Sequence, residues 1–215
     1  MASKADPWDK YYKKDKTTVN IIEKINKLYF SVVFEHYFKQ YTPKIKDTKI
    51  LEAACGSGLM SSRLSKQGAD TYLLDFSAYA LKDAGKNFKN NKQMFLGTKA
   101  DIMKMPFNDN TFDIVWNQGV IEHFDKPEKV VKEMMRITKK GGVLIIFIPA
   151  YLSPLHIIYN ILLTTKTINL WPFDKQKFFK TKELRDIAKD LGYSKFVARR
   201  LPRTLGLSSA LILKK

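Results

Sequence analysis

The 215-residue sequence is poor in cysteine, in arginine and in unbroken apolar runs. Its only cysteine is Cys55, so no disulfide can form within the chain, and a reducing environment is compatible with it. Met1–Lys16 is polar and charged, without the apolar stretch of a signal peptide. From Val143 to Thr165 there is no charged residue, but Pro149 and Pro154 interrupt the run. We expect a buried strand followed by a separate apolar helix there, and no membrane span.

Positive charge is abundant and unevenly distributed. The chain holds 38 Lys and Arg against 21 Asp and Glu, a net charge of +17. Residues 1–49 carry +5 (11 basic, 6 acidic), residues 50–150 carry +3 (14 and 11) and residues 151–215 carry +9 (13 and 4). Such an excess suits an anionic partner: nucleic acid, an anionic membrane surface or a phosphorylated substrate. Since only six of the 38 basic residues are arginines, a lysine-rich genome composition is the competing explanation.

Strand and helix patterns alternate along the chain. This alternation predicts an α/β fold, with helices on both faces of a mostly parallel sheet. The last two strands are joined by a short turn and are expected to pair antiparallel. Gly141 and Gly142 are expected to close the helix before the fifth strand. The predicted strands are 49–55, 71–76, 93–100, 112–118, 143–149, 195–201 and 207–213, and the predicted helices include 19–41, 59–66, 77–90, 127–138 and 181–191.

The segment from Leu51 to Gly58 is the most informative in the chain. A predicted strand runs into small residues and glycines, which let a ligand approach the backbone, and then into a helix N-terminus. Ligands of open parallel sheets bind at the carboxyl ends of the strands. Asp75 ends the second predicted strand, 17 positions after Gly58, and an acid there suits the two hydroxyls of a ribose. A nucleoside-containing ligand is therefore expected.

Two features of this segment discriminate between nucleoside ligands. A dinucleotide fingerprint needs Gly-x-Gly-x-x-Gly, and the third glycine is missing because Ser61 stands in its place. Glu52 would repel a pyrophosphate but attract a cationic amino-acid group. The pattern favours S-adenosylmethionine (SAM), which has an adenosine and an ammonium group and no phosphate.

Five motifs, in order and at suitable spacing over residues 49–149, resemble those of the class I SAM-dependent methyltransferases of the small type 11 family. They are LEAACGSG, YLLDFS, KADIMKMPF, FDIVWNQGVIEHF and KKGGVLIIFIP. The resemblance implies an enzyme with SAM as cofactor and a doubly wound, seven-stranded Rossmann-like sheet, mostly parallel with an antiparallel last strand. We expect one domain over 1–215, divided into an arm and helix (1–45), a SAM-binding core (46–149), a lid or acceptor insert (150–180) and a last helix with a strand pair (181–215).

The resemblance also implies which residues hold SAM. Asp75 would bind the ribose and Asp101 the adenine amino group, with Ile102 beside the ring. One departure is Ala54, which stands at the first glycine of the family's triplet and leaves room for weakened cofactor binding. The full predicted cofactor set is Glu52, Ala53, Ala54, Gly56, Ser57, Gly58, Asp75, Phe76, Ser77, Asp101, Ile102, Met103, Asn117, Gln118 and Gly119.

Methyl transfer is an in-line displacement at an activated carbon, so positioning and the exclusion of water can supply much of the catalysis. A base is needed only for an acceptor that is protonated when it attacks. Glu122 and His123 are the candidates, and His123 is the predicted catalytic residue. The alternative is that Glu122 and His123 order the loop after the fourth strand. Some relatives hold a divalent ion with Glu-x-x-Glu-His, but Gly119 stands at the first of these positions, so we predict no metal.

The predicted acceptor side combines the N-terminal arm with the insert after the fifth strand. The aromatic arm resembles one that folds over SAM in small relatives, although simple anchoring of the arm explains it as well. The insert is apolar and then aromatic and cationic, which suits a hydrophobic or lipid-like acceptor or a helix on an anionic bilayer. An ordinary lid or a dimer interface is the alternative. The candidate acceptor residues are Trp8, Tyr11, Tyr12, Tyr151, His156 and Trp171.

Three functions remain open from the sequence. The first is a methyltransferase for a small or lipid-like acceptor. The second is an RNA- or protein-directed methyltransferase that uses a basic C-terminal track, formed by Lys195, Arg199, Arg200, Arg203, Lys214 and Lys215. The third is a non-catalytic SAM-fold binding module, which the alanine at position 54 motivates. We expect a cytoplasmic location, with peripheral membrane contact as an option, and the oligomeric state stays open.

Overall fold

The computed structural model describes residues 20–42, 44–168 and 176–215, with side chains in the first helix from Tyr29 onward. The strands are β1 (Lys49–Ala53), β2 (Asp70–Asp75), β3 (Leu96–Lys99), β4 (Phe112–Gln118), β5 (Thr138–Pro149), β6 (Phe196–Arg200) and β7 (Ser208–Lys214). The helices are α1 (Asn20–Tyr41), α2 (Leu59–Ser65), α3 (Ala78–Asn90), α4 (Pro127–Ile137), α5 (Pro154–Thr164) and α6 (Thr181–Asp190), with 3₁₀ turns at Ile121–His123 and Pro202–Thr204.

The described strands form one seven-stranded sheet in the order β3-β2-β1-β4-β5-β7-β6. The first five strands pair in parallel, and β7 runs antiparallel to both β5 and β6. The predicted α/β architecture and its antiparallel end are therefore confirmed. The strand order reverses between β1 and β4, and in open parallel sheets a crevice forms at such a switch point, outside the carboxyl ends of the strands.

Helices cover both faces of the sheet because the central strands are apolar on both sides. On one face α1 and α2 contact the sheet, and the ring of Phe34 stacks on Phe147 of β5 with centroids 4.4 Å apart. On the other face α4 and α6 bury Val130, Met134 and Leu184 against the strands. The core is thus divided by a sheet whose middle is fully buried, and the functional positions are left to its edges.

The start of β5 differs from the sequence prediction. Helix α4 ends at Ile137, and Thr138 already pairs with Phe112 in extended conformation, so Gly141 and Gly142 lie within the strand and do not close the helix. The register shifts between Phe112 and Ile114, and Gly141 adopts a left-handed φ of 79°. A Cβ at Gly142 would lie 2.7 Å from the Asp113 carbonyl oxygen. The glycines therefore allow a bulge that brings β5 close to β4.

Helix α5 follows β5 outside the sheet, as the prolines in the sequence predict. Ser153 caps it by accepting a hydrogen bond from the His156 N–H at 3.2 Å, and Pro154 occupies its first turn. Among the described residues, no helix has the length and apolarity needed to cross a membrane.

Candidate active site at the carboxyl ends of β1, β2 and β3

The turn after β1 winds in left-handed steps. Ala54, Gly56 and Gly58 have φ values of 59°, 51° and 58°. The Gly58 N–H donates to the Cys55 carbonyl at 2.8 Å and closes the turn, after which α2 begins. Two glycines fit this backbone without strain, whereas the alanine at position 54 holds a conformation that costs an L-residue about 1–2 kcal/mol.

A second reason for Gly58 is the close approach of α3 and β2. A Cβ on this glycine would lie 3.1 Å from both Ala84 Cβ and Leu73 Cδ1. The side-chain amide of Asn87 on α3 also donates to the Ser57 carbonyl at 2.8 Å. The turn after β1 is therefore packed from behind and opens only toward the edge of the sheet.

Asp75, at the end of β2, connects the turn after β1 to the start of α3. It is 4% exposed, and its Oδ2 accepts the Gly56 N–H while its Oδ1 accepts the Ser77 N–H, both at 2.9 Å. Ser77 in turn caps α3 by accepting the Ala80 N–H. These two backbone contacts fix the aspartate in place at the end of β2, beside the turn after β1. Phe76, between the two, is half-buried.

Glu52 lies inside β1, one residue before the buried Ala53, and is only 6% exposed. Its pKa is raised to about 8, chiefly because burial penalises the charged form and further because Asp75 is nearby, while Ser61 lowers it. Its Oε2 has no hydrogen-bond partner among the described residues. A buried carboxyl with an unpaired oxygen beside Asp75 suits a cationic or hydrogen-bond-donating ligand.

The third predicted motif lies beside Asp75. The Ala100 N–H donates to the Asp75 carbonyl at 3.1 Å, which brings the residues after β3 to the same edge. Asp101 is exposed and its Oδ1 accepts the Met103 N–H at 2.8 Å. Ile102 is buried in the core, at 6% exposure, and Met103 is half-buried. Of the three, Asp101 is the one accessible to a ligand.

The residues after β4 divide between the core and the cleft. Asn117 is fully buried and its amide nitrogen lies 3.3 Å from Met134 Sδ on α4, so its side chain faces the helix layer. Gln118 is exposed at the end of the strand. The Gly119 N–H donates to Phe147 at 2.9 Å, and a left-handed φ of 67° turns the chain away from the sheet. Gln118 and Gly119 thus border the crevice, while Asn117 supports it.

The 3₁₀ turn after β4 holds Glu122 and His123. Glu122 is 3% exposed, its Oε2 has no partner in the described part of the chain, and burial raises its pKa to about 8. His123 is half-buried, and its N–H donates to the Val120 carbonyl. The burial of Glu122 depends on the packing of the loop, so the local sequence pattern gives no sign of it.

The acceptor candidates that the structure describes lie together after β5. The centroids of the Tyr151 and His156 rings are 4.6 Å apart, and the Phe178 ring lies 4.7 Å from the His156 ring in a tilted arrangement. The Lys180 ammonium lies 4.9 Å above the Tyr151 ring. Burial lowers the pKa of His156, and its Nδ1 accepts the Leu152 N–H. The other four candidates, Trp8, Tyr11, Tyr12 and Trp171, lie outside the described residues.

The basic residues proposed as a nucleic-acid track do not form one surface. Arg200, at the carboxyl end of β6, donates to the Gly206 and Tyr151 carbonyls. Lys215, beyond the opposite end of the sheet, donates to three carbonyls around the end of α4. Lys214 lies with Lys215 and Arg203 with Arg200, because β7 runs antiparallel to β6. No observation in the described chain therefore favours this alternative.

Within the described residues, no group of three His, Cys, Asp or Glu side chains is placed to hold a metal ion. The prediction that the protein needs no metal stays a prediction.

The residues that border this crevice lie within a stretch of the chain that matches a known protein family. Residues 51–146 match the family model described as "Methyltransferase domain". These residues resemble the class I SAM-dependent methyltransferases, and the strand order of the sheet agrees with that resemblance. The match confirms the predicted family and, at the level of the family, SAM as its cofactor. It leaves open which side chains hold SAM.

Individual similarities agree with this assignment. A demethylmenaquinone methyltransferase of Renibacterium salmoninarum is 35% identical over 98 residues, 46% of this chain and 40% of that protein. A ubiquinone biosynthesis O-methyltransferase of Pelagibacter ubique is 28% identical, over 67% of this chain and 61% of that protein. The crystal structure of a Synechocystis magnesium protoporphyrin IX methyltransferase with bound SAH superposes with a TM-score of 0.67 at 17% identity, covering 98% and 94% of the two chains.

The chain spans about half the length of the curated relatives it matches. The similarity to the Synechocystis structure shows the fold alone.

Proposed function

We propose that the protein transfers a methyl group from SAM to a small, lipid-like acceptor. The observation that carries the proposal is the crevice after β1, where a left-handed glycine turn, the fixed Asp75 and the buried Glu52 converge. The domain division is retained with it: 46–149 as the SAM-binding core, 150–180 as the acceptor insert, and the two terminal parts as support.

The residues present fit SAM. Asp75 is fixed beside the turn after β1 and would bind the ribose hydroxyls, while Asp101 is exposed for the adenine amino group. Glu52 has a buried oxygen without a partner and would bind the ammonium group. Gly56, Ser57 and Gly58 would admit the ligand close to the backbone. When bound, SAM supplies an electrophilic methyl group on a positively charged sulfur.

The acceptor class is inferred from the surroundings of the crevice. Tyr151, His156 and Phe178 form an aromatic cluster at the same edge of the sheet, next to the apolar helix α5. An apolar, aromatic wall suits a hydrophobic acceptor. The names of two relatives, which refer to menaquinone and ubiquinone, agree with an acceptor of this class. His123 is proposed as the base when the acceptor must lose a proton, and Glu122 as its buried neighbour in sequence.

Isothermal titration with SAM tests the cofactor half of the proposal. Asp75→Asn keeps the size of the side chain but removes its charge, and we expect an affinity loss of about tenfold or more. Asp83→Asn, on α3 where the aspartate accepts a hydrogen bond from Lys86, is the matched control and should bind as the wild type does. Equal SAM affinity of both variants, with folds verified by circular dichroism, would refute the assignment of Asp75.

Methyl transfer from labelled SAM to lipid, quinone, glycan and tRNA extracts tests the acceptor half. We expect label in the lipid or quinone fractions, and about tenfold less with Asp75→Asn when SAM is below its Kd. Label confined to tRNA would overturn the lipid-like acceptor. SAM binding without transfer to any fraction would favour the non-catalytic module.

A further inference from the structure

The outer side of α5 carries three large apolar side chains with no partner surface in the described chain. Ile157, Ile158 and Ile161 are 51%, 48% and 54% exposed. They lie at positions i, i+1 and i+4 of the helix and form one stripe, which we call the α5 outer face. A shallow groove lined by Asn160, Thr164 and Thr165 runs beside it. Large exposed apolar patches of this kind mark interaction sites.

The orientation of α5 is fixed by contacts on its inner side. Tyr159, on the opposite side of the helix, is 8% exposed and its ring contacts Phe178. The Ser153 cap and the Leu152 N–H bond to His156 hold the first turn. The helix cannot rotate its isoleucines inward without breaking these contacts, so their exposure is a property of the fold.

Two exposed leucines extend the apolar surface at the same edge of the sheet. Leu152 is 62% exposed and Leu205 is 79% exposed, and both are held at left-handed φ values of 55° and 54°. Their loops are tied together because Arg200 donates to the carbonyls of Tyr151 and Gly206. A backbone conformation that disfavours leucine is thus kept at two loop tips that present apolar side chains to solvent.

The described charged residues between Ala150 and Lys182 are of one sign. In the described parts of 150–182, every charged side chain is a lysine: Lys166, Lys177, Lys180 and Lys182. All four are exposed or partly exposed, and Lys166 follows α5 directly. Glu183, the next acid along the chain, is already paired with Lys177 at 2.8 Å. An apolar stripe with an exposed lysine just beyond the end of its helix complements a lipid surface that carries negative headgroups.

We propose that the α5 outer face, with Leu152 and Leu205, docks on a bilayer that contains anionic lipids. The apolar side chains would enter the boundary between headgroups and acyl chains, and the lysines would contact the headgroups. Docking itself stands independently of the reaction. Only its consequence, that the acceptor enters the crevice from the bilayer, rests on the proposed function.

Sedimentation of the full chain with vesicles tests the proposal. We expect binding to phosphatidylcholine vesicles with 30% phosphatidylserine, and at least about tenfold weaker binding to pure phosphatidylcholine. Ile157→Ser combined with Ile161→Ser should lower binding to the anionic vesicles by about tenfold or more, because two partly exposed isoleucines no longer enter the lipid. Lys166→Gln should lower it by a few-fold.

The matched control removes the same kind of apolar surface elsewhere. The control combines Met94→Ser with Leu96→Ser. Met94 lies two residues before the edge strand β3 and Leu96 is its first residue, and they are 88% and 57% exposed. This double change should leave vesicle binding unchanged. SAM titration of every variant shows that the cofactor site persists, so a loss of vesicle binding is separable from a failed fold or a wrong SAM assignment.

Three outcomes would overturn the proposal. The first is no vesicle binding by a folded, SAM-binding wild type. The second is equal binding by the isoleucine double variant and by the control. The third is a dimer in solution that the isoleucine changes dissociate, because the face would then be an interface between two copies of this chain.

Discussion

Ala54 holds the least favourable backbone conformation of the turn after β1. Its φ of 59° lies in the left-handed region, where the Cβ of an L-residue approaches the carbonyl. From the sequence alone, the added methyl group leaves room for weakened cofactor binding. The geometry adds a cost to folding that is independent of the cofactor.

We therefore expect Ala54→Gly to raise the free energy of unfolding by about 0.5–1 kcal/mol, since relief of the left-handed strain exceeds the entropy that glycine adds to the unfolded chain. Ala53→Gly is the matched control: Ala53 is extended and fully buried, so the change should cost about 1 kcal/mol. Urea denaturation of both variants measures whether the free energy of unfolding rises for Ala54→Gly and falls for Ala53→Gly. A destabilised Ala54→Gly variant would contradict the strain argument.

Glu52 makes the stability of the ligand-free protein depend on pH. Its pKa is about 8 in the folded chain and near 4.5 in the unfolded one, so the folded state binds more protons between these values. Stability is full below about pH 4.5 and falls as the pH rises to about 8, by up to about 1.4 kcal/mol per unit.

Glu52→Gln should remove the part of the pH dependence of stability that Glu52 causes. We expect the variant to gain stability relative to the wild type as the pH rises from 5 to 8, by about 2 kcal/mol or more, because no carboxylate has to ionise inside the protein. Glu128→Gln in the first turn of α4 controls for the loss of one acid. Unfolding midpoints at several pH values measure the difference, and a constant difference across this range would show that Glu52 is ionised in the folded state.

At the scale of elements, the last residue of the chain supports a helix far from it in sequence. The Lys215 ammonium donates to the carbonyls of Met135, Arg136 and Thr138 at 2.6, 3.0 and 2.7 Å. These oxygens lie around the C-terminus of α4, where the negative end of the helix dipole favours a cation. Strand β7 thereby connects the end of the sheet to the α4 layer that supports Asn117.

We expect Lys215→Met to lower the free energy of unfolding by about 1–2 kcal/mol, because three carbonyl oxygens lose a charged donor. Lys214→Met removes the same charge from an exposed neighbour and should change stability by less than about 0.5 kcal/mol. Thermal unfolding of the two variants side by side tests this. Equal effects would mean that the loss of net charge, and not the cap, determines the result.

The sequence predicts elements well where periodicity and end signals agree. The first helix, the second strand and β4 are found within one residue of their predicted bounds, because apolar spacing and flanking turns coincide there. The predicted helix end at Gly141 and Gly142 is wrong, because paired glycines indicate a helix end and a strand bulge equally well. The burial of Glu122 and the exposure of Ile157 cannot be predicted from the local sequence, since both depend on which surfaces meet in three dimensions.

At the scale of the whole molecule, the net charge of +17 has two parts with different surroundings. Residues 50–150, which form the crevice, carry only +3, and the carboxyl groups proposed to hold SAM are buried or fixed by backbone N–H groups. Residues 151–215 carry +9, and the exposed Lys166 lies just beyond the end of α5. The effect of salt on binding can distinguish these two parts, because salt screens exposed charges strongly and buried groups weakly.

We therefore expect salt to affect two equilibria of the same protein differently. Raising NaCl from 0.05 to 0.5 M shortens the screening length from about 14 to about 4 Å. The Kd for SAM should change by less than about threefold, whereas binding to anionic vesicles should fall by about tenfold or more. Titration calorimetry and vesicle sedimentation at matched salt measure both, with phosphatidylcholine vesicles as the uncharged control. A SAM affinity that falls as steeply as vesicle binding would place the positive excess at the cofactor site, and the division of charge between crevice and lipid-facing surface would be wrong.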